Sequence, residues 1–563
     1  MLNRRTLILR SLAYYWPSHL ALALGLLVGT AVIAGAFIVG DSVRYSLNRL
    51  TLLRLGRVDH ILTGPRFFRE ELSADLQKYL LEQHTAQTVA PALIFSAGLQ
   101  RTNADTDQTV RANRVNLYGF DQRAWDFLDH KDLPPPVDQE IYLNSRTARQ
   151  LGAKAGDEIV VSVALPSAVP RDSLLGKKDS TTTQIPFTVK EILSDEIGAS
   201  RFGIRADQQI PLNAFVPLLA LQSALDLEAE RPSRDNPQGS FARVNSILTS
   251  AGDPAGQTTE AAQVLTDTLH HVLQLKDLDL RIVPQPEYNY VALESRRMIL
   301  EPPLVRLAED DARENHLTPA QVLVYLANRI GNPKVNAENP DGQKTTDPHP
   351  GYSMYSTVAG LNLAADSPFK PDDFIGPPPS FPLHPRDILI NEWLASDLNV
   401  AIGEEVDLSY YTVGSRGELP ELTEKFTVRG ILKLDGHRPS DRGLVPAVKG
   451  ITDAKRLSDW DQPFEMRFNL ITQRDEDYWD KYKATPKAFV SLDTAQDLWK
   501  SRYGKITSLL LTPPADQPLD KLPSSLESSL IGHLPLADLG LQFQPLKAQG
   551  LSASAGTTDF SGL

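Results

Sequence analysis

The amino-acid sequence predicts an α+β protein: one N-terminal transmembrane helix, then a large extracytoplasmic region of split α/β (βαβ-type) subdomains. Small β-barrel-like subdomains are inserted in these, in two tandem copies. Three observations predict it. Leu20 to Gly40 reads LALALGLLVGTAVIAGAFIVG, 21 residues without a charge, and at about 1.5 Å per helical residue it covers the ~30 Å hydrocarbon core of a bilayer. No second run like it follows in the 563 residues. A 24-residue stretch starting at Glu140 recurs, without a gap, from Asp387.

The N-terminus comes first. Arg4, Arg5 and Arg10 precede the run, and Asp41 is the first acidic residue. The positive-inside rule puts residues 1–17 in the cytoplasm and the bulk of the chain outside. Leu9, Leu12, Ala13 and Trp16 share a helical face, so 1–17 reads as an amphipathic helix on the cytoplasmic surface. Pro17-Ser18 is a break and N-cap, 18–40 the span, and 41–57 a stalk helix. A cleaved signal peptide would have a shorter apolar core and a small-residue cleavage site, which Asp41-Ser42-Val43-Arg44 does not supply. Gly25, Gly29, Gly35 and Gly40 stand at or near GxxxG spacing and are the candidate contacts for another membrane helix. Val43, Leu47 and Leu50 are the candidate contacts of the stalk.

Composition narrows the function. The net charge of −13 argues against nucleic-acid binding. The basic residues nearest the membrane, Arg44, Arg49, Arg54 and Arg57, suit lipid headgroups or a solvated helix face. There is no cysteine, which removes disulfides, thiol catalysis and Cys-ligated metals together.

Beyond the stalk, 58–138 reads as the first part of an α/β subdomain, with strands at Val58–Leu62, Pro91–Leu99 and Val110–Phe120 and a helix at Phe67–Leu81. Residues 139–230 form barrel-like module 1. Residues 240–385 hold further α/β segments: a strand at Ala242–Leu248, a helix at Thr258–Leu273, a strand at Leu280–Val283, a helix near Ser295–Asp311, then Val322–Ile330 and Ser356–Leu363. Residues 386–500 form module 2, and 501–563 are a final α/β segment, with a strand near Leu541–Leu546, leading back to the membrane. The modules rest on the repeat. Ile141/Ile388, Asn144/Asn391, Ala148/Ala395, Leu151/Leu398, Gly156/Gly403 and Glu158/Glu405 are identical at an offset of 247. The pattern is strand, Asn-opened helix, glycine turn, strand. Phe187–Leu193 and Phe426–Leu432 continue it, as do Ala214-Phe215-Val216 and Ala488-Phe489-Val490.

The segments LGAKAGDEIVV and FTVKEIL, with LTLLRLGRVDHIL, YSTVAGL and DEDYWDKYKATPKAFVSLDTAQDLWKSRYG, resemble FtsX-like ABC transporter permeases with a MacB-type periplasmic core domain. The resemblance runs from about residue 4 to the end. It implies a subunit of the bacterial inner membrane, with three further spans beyond the external domain, working as a homodimer or paired permease. ATP would be bound by a separate ABC ATP-binding subunit, and this chain would hold no cofactor or metal. The expectation is that the chain is an N-terminal piece ending at Thr558–Leu563, where the second span would begin.

Catalytic patterns are missing from the sequence. There is no GxxxxGK[ST], HExxH or GxSxG, and Gly176-Lys177-Lys178 lacks the upstream glycine. His270-His271 reads as a helix surface. Asp475-Glu476-Asp477 with Asp480, and Asp459-Trp460-Asp461, read as solvated acidic faces rather than cation sites. Trp460, Phe464, Trp479 and Tyr482 read as packing aromatics before a ligand site. The leading expectation is a transport component without catalysis of its own. The alternative is a single-pass anchored periplasmic scaffold or binding protein.

Overall fold

The computed structural model describes residues 4–556, apart from 86, 103–107, 131, 165–182, 206–208, 232–238, 252–257, 335–350, 365–366, 413–418, 449–450, 461–465, 500–503 and 516. Gly176-Lys177-Lys178, Asp461, Phe464 and the terminal Thr558–Leu563 lie outside the described residues. α1 (Arg4–Tyr14) precedes α2 (Trp16–Leu55), which runs unbroken for 40 residues. Pro17 sits in the first turn of α2, where its missing N–H leaves no bond unmade. The expected membrane and stalk helices are therefore one rod, with no break at residue 40. Among the described residues it is the one helix long and apolar enough to cross a membrane.

In copy one, β1 (His60–Arg69), α3 (Glu71–Glu82) and β2 (Gln87–Thr102) make a β–α–β unit. Helix α3 starts four residues later than expected. Phe68 is held in β1 by pairing with Val244 and by burial in the core. The module follows: β3 (Thr109–Phe120), α4 (Gln122–Trp125), β4 (Glu140–Asn144), α5 (Ser145–Leu151), β5 (Glu158–Val163), β6 (Thr183–Leu193), α6 (Gly198–Arg201), β7 (Asn213–Pro217) and α7 (Leu218–Ala224). Then β8 (Arg243–Ala251), α8 (Thr259–Val272) and β9 (Leu280–Gln285) close the copy.

Copy two repeats the order: β10 (Tyr290–Ser295), α9 (Pro302–Glu314), β11 (Thr318–Gly331), β12 (Tyr352–Leu361), β13 (Phe374–Ile375), β14 (Asp387–Asn391), α10 (Glu392–Leu398), β15 (Glu405–Tyr411) and β16 (Glu421–Leu432). After it come α11 (Gln473–Tyr482), β17 (Ala488–Ser491), α12 (Leu492–Trp499), β18 (Ser508–Thr512), α13 (Leu522–His533) and α14 (Leu546–Gly556). Ser295 ends a strand that the sequence reading missed, and α9 begins only at Pro302.

Two sheets hold the described strands. The first has the order β1-β8-β2-β3-β7-β4-β6-β5, and β5 pairs back onto β2, closing six strands into a barrel. The second runs β12-β17-β14-β16-β15-β11-β18-β10-β9, and β11 pairs with β12 to close six more. One long strand joins barrel to α/β part in each copy. Gln87 to Ala92 of β2 pairs with β8, while Ala97 to Gln100 pairs with β5. β11 divides itself in the same way between β18 and β15. The duplication extends to detail: the parallel pairs β4–β6 and β14–β16 carry the same irregularity, after Ile141 and after Ile388. Asn144 and Asn391 both cap the following helix. Gly156 and Gly403 adopt φ of +92° and +94°, and each donates its N–H at 2.7 Å, to the Val189 and Val428 carbonyls.

The α/β parts of the two copies share one core. It holds Leu72, Leu76 and Leu80 of α3, Leu265 and Leu269 of α8, Leu304 and Ala308 of α9, and Leu526 and Leu530 of α13. The sheets also exchange ends. Copy one finishes in β9, which pairs with β10 of copy two. Copy two finishes in Leu541–Leu546, expected as a strand. There the chain makes one antiparallel bridge, Gln544 to Ile61 of β1. Pro545 has no N–H to extend a ladder, and α14 starts at Leu546.

Candidate functional site

The junction where α2 meets the first sheet gathers groups from the whole length of the chain. Helix α2 stops at Gly56, whose φ of +57° turns the backbone where a Cβ would stand 2.4 Å from the Phe127 carbonyl oxygen. Arg57 N–H then donates to that oxygen at 2.7 Å, and Asp59 N–H to the Thr249 carbonyl at 2.9 Å. Leu55, Val58, Ile61, Trp125, Phe202 and Leu546 pack with Tyr118, Phe120 and Phe215 in one aromatic-rich cluster. Burial drives the Tyr118 hydroxyl far above its ordinary pKa, so it stays neutral.

Two elements grip the last turns of α2. From one side, α6 comes so close that a Cβ on Gly198 would lie 2.8 Å from the Leu53 carbonyl oxygen. The Arg54 guanidinium donates to the Arg205 carbonyl at 3.1 Å. From the other side comes α14, where a Cβ on Gly550 would meet Thr51 Cγ2 at 2.9 Å and Leu55 Cδ1 at 3.4 Å. Lys547 lies beside Asp59 and Gly550 beside Thr51 and Leu55, so α14 descends antiparallel to α2.

At the top of this helix pair is a buried ion pair. Lys547 Nζ donates to Asp59 Oδ1 at 2.6 Å, with side chains 9% and 1% exposed. Asp59 Oδ2 accepts the Ala251 N–H at 2.6 Å, and Lys547 N–H donates to the Asp59 carbonyl at 3.1 Å. His60 is fully buried beside them. Its Nδ1 is 3.3 Å from Thr249 Oγ1, and its Nε2 is 3.2 Å from the carbonyl of Thr258, the N-cap of α8. Burial pulls the His60 pKa below 6.5, with Lys547 adding to the effect and Asp59 opposing it.

The sequence-derived candidates fall on either side of this junction. Gly25, Gly29, Gly35 and Gly40 lie along the exposed span, where an added Cβ would meet nothing within 4 Å. At about 100° per residue, Gly25, Gly29 and Gly40 share a face that Gly35 leaves. Val43 and Leu50 are exposed and Leu47 half-buried. The described contact with α14 falls one turn on, at Thr51 and Leu55, which share Leu47's face. Asp59, His60 and Lys547 were not legible beforehand, since Asp59 and Lys547 are 488 positions apart.

The other candidates are structural. Asp475, expected on a solvated acidic face, is instead fully buried: it closes a capping box with Thr472 and accepts from Ser353 Oγ at 2.8 Å and Lys487 Nζ at 3.3 Å. Trp460 packs on Trp479 at 5.0 Å, and Trp479 Nε1 donates to the Ala454 carbonyl. His271 stacks on Tyr79, and His270 Nδ1 is 2.9 Å from the Ile531 carbonyl oxygen. Among the described residues no three His, Asp or Glu converge as a metal site would require.

Among the described residues no helix like α2 precedes copy two. The 55 residues between β16 and β17, against 19 between β6 and β7, supply the cover instead. Leu444, Ile451, Trp460 and Trp479 share a buried cluster with Tyr290, Val324 and Phe489. Phe489 is the repeat counterpart of Phe215, which packs with Leu55 of α2 and Ala199 of α6 in copy one.

Comparison with known proteins gives little by sequence: no family model matches, and no curated protein matches. Among solved structures, the chain is similar to the periplasmic region of MacB from Actinobacillus actinomycetemcomitans. The identity is 16% and the TM-score 0.23, over 39% of this chain and 86% of that one.

Proposed function

We propose that this chain is the membrane-spanning permease subunit of an ABC-type exporter or mechanotransmission complex, with its N-terminus in the cytoplasm. Its large region then lies in the periplasm of a bacterial inner membrane. A separate ABC subunit binds and hydrolyses ATP, and this chain binds no nucleotide and catalyses no reaction. A second permease chain, identical or paired, meets it in the membrane through the Gly25–Gly29 face. One observation carries the reading: α2 is a single rod from the span into the first sheet, and α14 descends against its last turns. A displacement of either helix in the membrane is delivered to packed modules without a flexible linker. The cargo would be a lipid, a lipoprotein or another amphiphile.

The test is the coding frame past codon 563. Continuation into about three apolar spans of ~20 residues each, with an ATP-binding subunit that co-purifies with the tagged product, supports the permease. A stop codon there in an intact gene, with no such subunit recovered, overturns it in favour of an anchored scaffold.

A further inference from the structure

The two copies exchange their last segments, so the α/β unit is a ring with two closing joints. The joints are unequal. Between β9 and β10 six residue pairs are in register, from Tyr290–Gln285 to Ser295–Leu280. Between Leu541–Leu546 and β1 the ladder is reduced to the single pair Ile61–Gln544, with N–H to carbonyl distances of 3.0 and 2.8 Å. Each joint carries an ion pair. At the first, Arg281 donates to the buried Glu294 but is itself 31% exposed; at the second, both members of Lys547–Asp59 are buried. The second joint also sits at the membrane-facing end, where α14 descends along α2.

A buried ion pair is suited to a contact that must close in one register and open again. Its Coulomb attraction is largely offset by the hydration both charges give up. Separation returns that hydration, which offsets part of the cost of exposing the buried Leu541, Phe543 and Leu546 of the same segment. The pair therefore fixes geometry more than it adds net stability. Asp59 keeps its second oxygen on Ala251 N–H at the end of β8, so the carboxylate stays with the first sheet while Lys547 leaves with α14.

We propose that Leu541–Lys547 is the opening joint of the extracytoplasmic region, held shut by Lys547–Asp59, while the β9–β10 joint stays closed. Opening there frees α14 from α2 and lets the two membrane-directed helices move apart. That consequence for coupling rests on the permease reading; the inequality of the joints does not.

Hydrogen exchange on the full chain in detergent micelles tests it. Amides of 541–550 should exchange about tenfold or more faster than those of 280–295, as local opening short of global unfolding requires. Lys547→Met should widen the gap by a further factor of about ten to a hundred, leaving 280–295 unchanged. Ile61→Cys/Gln544→Cys provides a second arm, independent of how Lys547→Met folds, in this cysteine-free chain. Residues facing each other in a hydrogen-bonded antiparallel pair have Cα atoms about 5.5 Å apart, within disulfide reach. Oxidation should slow 541–550 to the rate of 280–295, and reduction should restore it. Equal exchange at the two joints, or exchange at 541–550 that neither variant changes, overturns the proposal. Vesicles carrying the chain with its ATP-hydrolysing partner separate the two readings. A joint that opens in exchange but whose oxidation leaves ATP turnover unchanged supports the joint and overturns the permease.

Discussion

Replacing Asn144 by Ala should loosen module 1 far more than replacing Asn391 by Ala loosens module 2, although the two residues hold the same place in the repeat. Both are fully buried. Asn144 Oδ1 accepts the Thr147 N–H at 3.0 Å and the Asn213 N–H at 3.2 Å. Its Nδ2 donates to the carbonyls of Ser200 at 2.9 Å and Pro211 at 2.8 Å. The Thr147 hydroxyl also donates to Oδ1, at 2.7 Å. Truncation removes an N-cap, about 1 kcal/mol, and strands four further buried groups at about 1 kcal/mol each. Ser200 keeps a 3.3 Å bond from Asn213 Nδ2, so the sum is about 4 kcal/mol. Asn391 caps Leu394 N–H at 2.8 Å, but its Nδ2 bonds are to Tyr478 OH at 3.0 Å and the Pro486 carbonyl at 3.4 Å. Tyr478 can still donate to the Thr485 carbonyl, which leaves about 1–2 kcal/mol at stake. At about 1.4 kcal/mol per decade, amides of 140–151 and 213–216 should exchange roughly 1000-fold faster in Asn144→Ala. Those of 387–398 should exchange roughly tenfold faster in Asn391→Ala. Asn144→Asp keeps the cap but sets an unpaired buried carboxylate against the Ser200 and Pro211 carbonyls, so it should cost at least as much as Asn144→Ala. Equal acceleration in the two modules, or a larger effect in module 2, would refute the hydrogen-bond accounting.

Three further outcomes are expected. Arg69 and Asp277 form a buried two-bond pair at 2.8 and 3.0 Å. Arg69→Met alone should therefore cost about 3–5 kcal/mol by leaving a buried carboxylate without its counter-charge, held only by the backbone N–H groups of Gln274 and position 69. Arg69→Met/Asp277→Leu should recover most of that, as read by urea unfolding of the full chain. Gly360→Ala places a Cβ 2.2 Å from Ala495 Cβ and should shift α12 at about 1–3 kcal/mol. Gly403→Ala has open space but a φ of +94° and should cost about 1 kcal/mol; melting temperatures rank the two. His60 titrates below 6.5 in the folded chain because it is buried. Above pH 6.5 both states are neutral and its contribution is complete; as pH falls through 6.5 toward the native value, the unfolded chain takes the proton first. Stability should therefore drop by up to about 1.4 kcal/mol per pH unit in that window, and comparison of unfolding at pH 8 and pH 5.5 should show His60→Gln without this component.

The long apolar N-terminal helix and the doubled module were legible in the sequence because each rests on local rules, although the span and the stalk expected as two helices are one. Twenty-one uncharged residues meet a bilayer's thickness wherever they occur. An Asn cap, a glycine at positive φ and alternating apolar residues specify strand–helix–strand within about 25 positions, twice over. Element ends moved where a distant partner outbid local preference. Phe68 stays a strand residue because Val244 and the core claim it, and Leu541–Leu546 makes one bridge because Pro545 ends the ladder. The junction was not legible at all. Asp59, His60 and Lys547 are ordinary polar residues in sequence, and only the closing of the ring between the first sheet and the last helix buries them together. Charges acquire meaning from what excludes water around them, and that exclusion is a property of the assembled fold rather than of either segment.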